Sequence, residues 1–140
     1  MDDNACTIGN CAEVNLDVQY LMAVSQNTPT TIYNWEVASN LFAGFIIELS
    51  NTETLLANPL VISISYAQPE SQISSALLHQ FNVEALKLAA QGVTLIAASG
   101  DNGANCGDLC SSRTKCGYSP YFPASSPYVT AVGATQVRTK

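Results

Sequence analysis

Asp101 is one of eleven acidic residues in a chain of 140, and its surroundings set it apart. It follows the apolar run Val93-Thr94-Leu95-Ile96-Ala97-Ala98, which reads as a strand buried on both faces of a parallel sheet. The small or turn-forming residues Ser99, Gly100, Asn102 and Gly103 surround it. They let the backbone turn and leave one carboxyl at the carboxyl end of the strand, the edge where open α/β sheets bind ligands. A carboxyl so placed can give or take a proton during a reaction. An aspartate in Asp-Asn-Gly is equally a turn former.

Glu13 and Asp17 form a second acidic feature. They stand four residues apart in a stretch otherwise rich in Val14, Leu16, Val18, Tyr20, Leu21, Met22 and Val24, a pattern that predicts a mostly buried helix with both carboxyls on one face. Two neighbouring carboxylates resist double ionisation, which suits such a pair to sharing a proton. The plain alternative is a solvated acidic stripe. His79, the single histidine, falls inside a predicted helix, away from any strand end, so a serine–histidine hydrolase is not expected. No Gly-x-Gly-x-x-Gly, Walker-type lysine or His-Glu-x-x-His occurs, which removes the common nucleotide-loop and zinc-peptidase patterns.

Cys6 and Cys11 near one end, and Cys106, Cys110 and Cys116 near the other, make five cysteines. Their uneven spacing and the lack of imidazole partners favour disulfides over a structural zinc site. An odd count leaves one thiol free or paired outside these residues.

The elements that must position these groups follow in order. After the helix from residue 13, residues 30–35 are rich in strand formers. Helical spacing through Val37, Leu41, Phe45, Ile46 and Leu49 ends at Asn58-Pro59. Residues 60–66, Leu-Val-Ile-Ser-Ile-Ser-Tyr, predict a second buried strand, and residues 67–70 a turn. Ser71 is the expected cap of a helix that runs through Phe81, Ala85 and Leu88 to Gly92. Residues 93–98 and 128–134 complete the strands. Alternating helices and strands joined by long crossovers describe a three-layer α/β arrangement with a mainly parallel sheet.

Composition agrees with a packed domain. Apolar residues make up 47% and charged residues 11%, unlike disordered chains. A net charge of −6 with five scattered or terminal cations gives nucleic acid nothing to bind. The most apolar run, residues 41–49, is too short to span a membrane. The opening Met1-Asp2-Asp3 is not a signal peptide, although disulfide-type cysteines imply export; a missing N-terminal portion is expected.

Three segments together resemble one family: residues 13–22 (Glu-Val-Asn-Leu-Asp-Val-Gln-Tyr-Leu-Met), 98–104 (Ala-Ser-Gly-Asp-Asn-Gly-Ala) and 122–135 (Phe-Pro-Ala-Ser-Ser-Pro-Tyr-Val-Thr-Ala-Val-Gly-Ala-Thr). The chain is similar to the sedolisins, serine-carboxyl peptidases of subtilisin-like fold, and particularly to their tripeptidyl-peptidase branch. The likeness runs from about Glu13 to the end of the chain, with its motifs in order. It implies an incomplete subtilisin-like α/β/α domain across residues 1–140 that acts on peptide or protein substrates.

By that resemblance Glu13 is the base for the nucleophilic serine, Asp17 the acid that hydrogen-bonds and tunes it, and Asp101 the oxyanion-site acid. Ser65, Tyr66 and Ala67, with Ala98, Ser99 and Gly100, match the strand ends that pair with substrate backbone; the family commonly has glycine where this chain has Ala67. An ionised Asp101 would repel an oxyanion and a protonated one would donate to it, so acidic pH is implied. The resemblance further implies an extracellular, lysosomal or vacuolar setting, a prosegment and calcium for the complete family domain, and a cysteine partner for Cys106 outside these residues.

The family's nucleophile lies in a Gly-Thr-Ser motif, and none occurs here. Ser99, Ser111, Ser112, Ser125 and Ser126 do not match its position. The expectation is a fragment without metal ligands or nucleophile of its own, inactive in isolation. Two alternatives are a non-catalytic binding module that keeps the peptidase fold and an unrelated α/β ligand-binding domain of flavodoxin type. The second would use the same strand ends without needing Glu13.

Overall fold

A computed structural model describes residues 10–33, 41–51, 61–103 and 118–135. The chain divides into two units, Met1–Trp35 and Glu36–Lys140.

In the first unit, helix α1 spans Asn10–Val24, as the apolar spacing predicts. It ends where Ser25 and Thr28 close turns onto Leu21 and Ser25, with N···O distances of 2.8 and 2.9 Å. Asn27 follows at φ 64°, a left-handed conformation that asparagine tolerates better than most residues. The expected burial is not found: Tyr20 is 67% and Val24 83% exposed. The apolar side chains ring the helix instead of forming one stripe, so no single face gathers them. Thr30, Thr31 and Tyr33, expected in a strand, are not in regular structure, and Asn34 and Trp35 lie outside the described residues. Cys11 is disulfide-bonded; the other four cysteines lie outside the described residues.

The second unit holds α2 (Leu41–Asn51), β1 (Val61–Ile64), β2 (Gln68–Pro69), α3 (Ser75–Ala90), β3 (Thr94–Ala98), β4 (Tyr121–Phe122) and β5 (Thr130–Val132). Strands β1, β3 and β5 form an all-parallel sheet with β3 central. Ile62 pairs with Leu95 and Ile64 with Ala97, so these four share a face. Leu95 and Ala97 are buried there, in a core with Phe42, Ile46, Phe81, Ala85, Leu88 and Phe122. Val61 and Val132 are exposed by about half and Ile96 is half-buried. The apolar strands are therefore covered on one face among the described residues, not on both as their composition suggests. This is an α/β fold with a parallel sheet, and it is incomplete.

Helix α3 shows why its sequence folds locally. The Ser74 hydroxyl accepts a bond from the Leu77 amide at 3.3 Å. Ser74, not Ser71, is thus the cap, because Glu70–Gln72 form a separate 3-10 turn. At the other end Gly92 sits at φ 86°, its amide donating to Ala89 and the Val93 amide to Leu88, each at 3.0 Å. This paired closure needs a left-handed residue that glycine adopts without strain. Phe81, Ala85 and Leu88 recur on one face and are buried. The expected turn at residues 67–70 instead supplies β2, which pairs antiparallel with β4 through Gln68–Phe122 and Pro69–Tyr121.

Candidate functional site at the carboxyl edge of the sheet

Because β1 and β3 are neighbours and parallel, both chains leave the sheet at the same edge. Ser65, Tyr66 and Ala67 emerge from β1, and Ser99, Gly100 and Asp101 from β3. The sheet thus brings together the two segments that sequence matching selects for substrate backbone, with Ala98 as the last residue of β3. Ser65, Tyr66, Ala98, Ser99 and Asp101 are exposed, and Ala67 and Gly100 half-buried. The Ser99 amide donates to the Val132 carbonyl at 3.0 Å, carrying the β3–β5 ladder one residue past the strand. Tyr66 rests its ring 5.8 Å from that of Phe42, which ties this edge to α2.

The loop around Asp101 has a definite backbone. Gly100 lies at φ 92° and Gly103 at φ 61°, conformations that favour glycine. A Cβ at residue 100 would fall 3.1 Å from Cγ of Tyr121, so a larger residue there would be strained and crowded. The Asn102 amide nitrogen donates to the Tyr121 hydroxyl at 3.0 Å. An open depression of about 390 Å³ lies beside the loop, lined by Ser99, Tyr118, Tyr121, Ser125 and Ala131 among others.

Glu13 and Asp17 belong to the first unit, one turn apart on α1, Glu13 exposed and Asp17 half-buried. Their spacing puts both on one face of that helix. His79 lies exposed on α3, in keeping with a helix-surface role. Ser126 is buried, donates to Asn82 Oδ1 at 2.7 Å and accepts from the Tyr128 amide at 3.3 Å. These bonds give it a structural task, holding the turn after β4 to α3. Ser111 and Ser112 lie outside the described residues.

Sequence reasoning passed over Tyr121. Its signal was its place in Pro-Tyr-Phe-Pro, where proline on both sides favours extended backbone; the pairing that aims it at Gly100 is a long-range event.

No group of three or more His, Cys, Asp or Glu gathers among the described residues to hold a metal ion. Among the same residues no helix is long and apolar enough to cross a membrane.

The relatives of this sequence are peptidases of the tripeptidyl-peptidase 1 kind, and an incomplete α/β fold with a parallel sheet is consistent with a fragment of a sedolisin-type domain. No protein-family profile matches it. The relatives it resembles are tripeptidyl-peptidase 1 of Rattus norvegicus, 42% identical over 129 residues; of Homo sapiens, 43% over 126 residues; and of Bos taurus, 41% over 126 residues. These alignments cover 90%, 88% and 88% of this chain. They cover 22%, 21% and 21% of the relatives, so the chain spans about a fifth of their length.

Proposed function

We propose that this chain is a segment of a serine-carboxyl peptidase and supplies its base, its tuning acid and its oxyanion donor. The observation that carries the reading is the 42% identity to a tripeptidyl-peptidase over 90% of the chain. The sheet edge supports it, since Ser65, Tyr66 and Ala67 leave beside Ala98, Ser99 and Gly100, an arrangement that can pair with extended peptide on either side.

In this reading a serine hydroxyl, which no residue of these 140 supplies by motif, attacks the peptide carbonyl carbon. Its proton passes to the Glu13 carboxylate, held by a hydrogen bond from Asp17. The carbonyl π electrons move onto oxygen, and protonated Asp101 donates a hydrogen bond to the resulting oxyanion. Glu13 then returns the proton to the leaving amine, and water hydrolyses the acyl-enzyme by the same route. A donor at Asp101 beside a developing oxyanion favours work in acid, and the reading therefore includes activity at acidic pH in an extracellular, lysosomal or vacuolar setting.

The test is the pH–rate profile of the full-length gene product and its Asp101→Asn variant. Activity is expected in acid and lost as pH rises. The asparagine keeps a donor without titrating, so the alkaline limit should move upward. A wild-type profile flat to neutrality, or an identical profile in the variant, overturns the reading. The 140-residue chain alone should not hydrolyse peptides; hydrolysis by it that Glu13→Ala abolishes would overturn that expectation.

A further inference from the structure

Asp101 is exposed, as are Asn102 and Gly103 beside it, yet an oxyanion donor must stand about 2.7–3.1 Å from the oxygen it serves. A side chain with two rotatable bonds meets that demand only if its backbone is fixed. We infer that Tyr121 is the positioning residue for Asp101, with its ring bearing on Gly100 and its hydroxyl holding Asn102. This rests on the reading of Asp101 given above.

Three observations converge. A Cβ at Gly100 would lie 3.1, 3.3 and 3.4 Å from three ring atoms of Tyr121, so the glycine backbone lies directly against the ring. On the far side of Asp101, Asn102 Nδ2 donates to Tyr121 Oη at 3.0 Å. One side chain therefore fixes both neighbours of the carboxyl.

Tyr121 is itself held. The next residue, Phe122, is buried with its ring 4.7 Å from Phe81 and 5.4 Å from Phe42, and alternation along a strand turns Tyr121 the other way. Its backbone pairs with Pro69, and its carbonyl accepts from the Ser125 amide at 2.9 Å. The Glu70 amide also donates to the preceding Pro120 carbonyl at 3.0 Å. Since β2 follows Ser65, Tyr66 and Ala67 directly, β4 links both segments of the candidate substrate edge.

The test uses Tyr121→Phe, Asn102→Ala, the double variant and Asp101→Ala in the full-length gene product. kcat is normalised to sites titrated by a serine-directed phosphonate, and deuterium uptake is read over residues 99–103. Loss of one neutral hydrogen bond should lower kcat roughly 3- to 10-fold in Tyr121→Phe and in Asn102→Ala, with KM unchanged. The double variant should fall no further than the worse single, because both remove one interaction. Uptake over 99–103 should rise in each. Tyr121→Ala, which also loses the ring, should cost on the order of 10²-fold. Wild-type kcat in both single variants beside an impaired Asp101→Ala, or losses that multiply in the double, overturns the inference. If Asp101→Ala keeps wild-type kcat, the catalytic reading is what fails. The clamp is then decided by uptake: a rise in Tyr121→Phe supports it and unchanged exchange overturns it.

Discussion

Ser50 and Lys87 grip the Glu84 carboxylate from two sides, Lys87 Nζ at 2.7 Å from Oε1 and Ser50 Oγ at 2.8 Å from Oε2. The Lys87 bond is the largest influence, desolvation opposes it and the Ser50 bond adds to it; together they hold the carboxyl below its ordinary value of 4.5. A carboxyl lowered on folding stabilises the native state above its ordinary value, and that contribution is lost as pH falls through the lowered one. Since Ser50 is on α2 and Glu84 on α3, the bond joins two helices. Ser50→Ala should cost about 1 kcal/mol at neutral pH and less well below 4.5, measured by urea unfolding at the two pH values. An equal cost at both would mean that the carboxylate is not what the hydroxyl serves.

At the scale of the element, α3 carries its own start and stop. Its first turn is closed by Ser74 and its last by Gly92, while Phe81, Ala85 and Leu88 hold it to the core. Ser74→Ala removes the cap and should destabilise by about 1 kcal/mol, whereas Ser74→Asp should be close to neutral. Ser71→Ala should do far less, since Ser71 lies in the 3-10 turn. Thermal unfolding of the three variants separates the two serines.

Across the second unit, Phe122 is where distant parts of the chain meet. It packs edge-on against Phe42 of α2 and Phe81 of α3, and the strand that carries it aims Tyr121 at the Asp101 loop. Phe122→Ala should cost about 3–5 kcal/mol, seen in denaturant unfolding, and should raise deuterium uptake over residues 99–103 even where the protein remains folded. Destabilisation without that local change would separate the core from the loop.

Much of this protein was legible before folding. The spacing of Phe81, Ala85 and Leu88, the glycine at 92 and the apolar run at 93–98 are local signals, and they specify α3 and β3 because helix closure and strand alternation act over a few residues. The segment matches that select Glu13, Asp17 and Asp101 are equally local. Three things were not legible. Apolar runs could not say which face of β1, β3 and β5 is covered, because burial depends on what packs against a strand, and half of Val61 and Val132 is exposed. A choice between Ser71 and Ser74 was settled only when Glu70–Gln72 formed a separate 3-10 turn after β2. Tyr121 became visible only through the pairing of Pro69 with Tyr121 and of Gln68 with Phe122, contacts between segments remote in sequence that leave no periodicity to read. The sequence by itself nominated Glu13, Asp17 and Asp101 as candidates and specified the local elements that carry them; only the tertiary structure brought Tyr121 against the Asp101 loop, because a loop's backbone is fixed by whatever distant strand is brought against it.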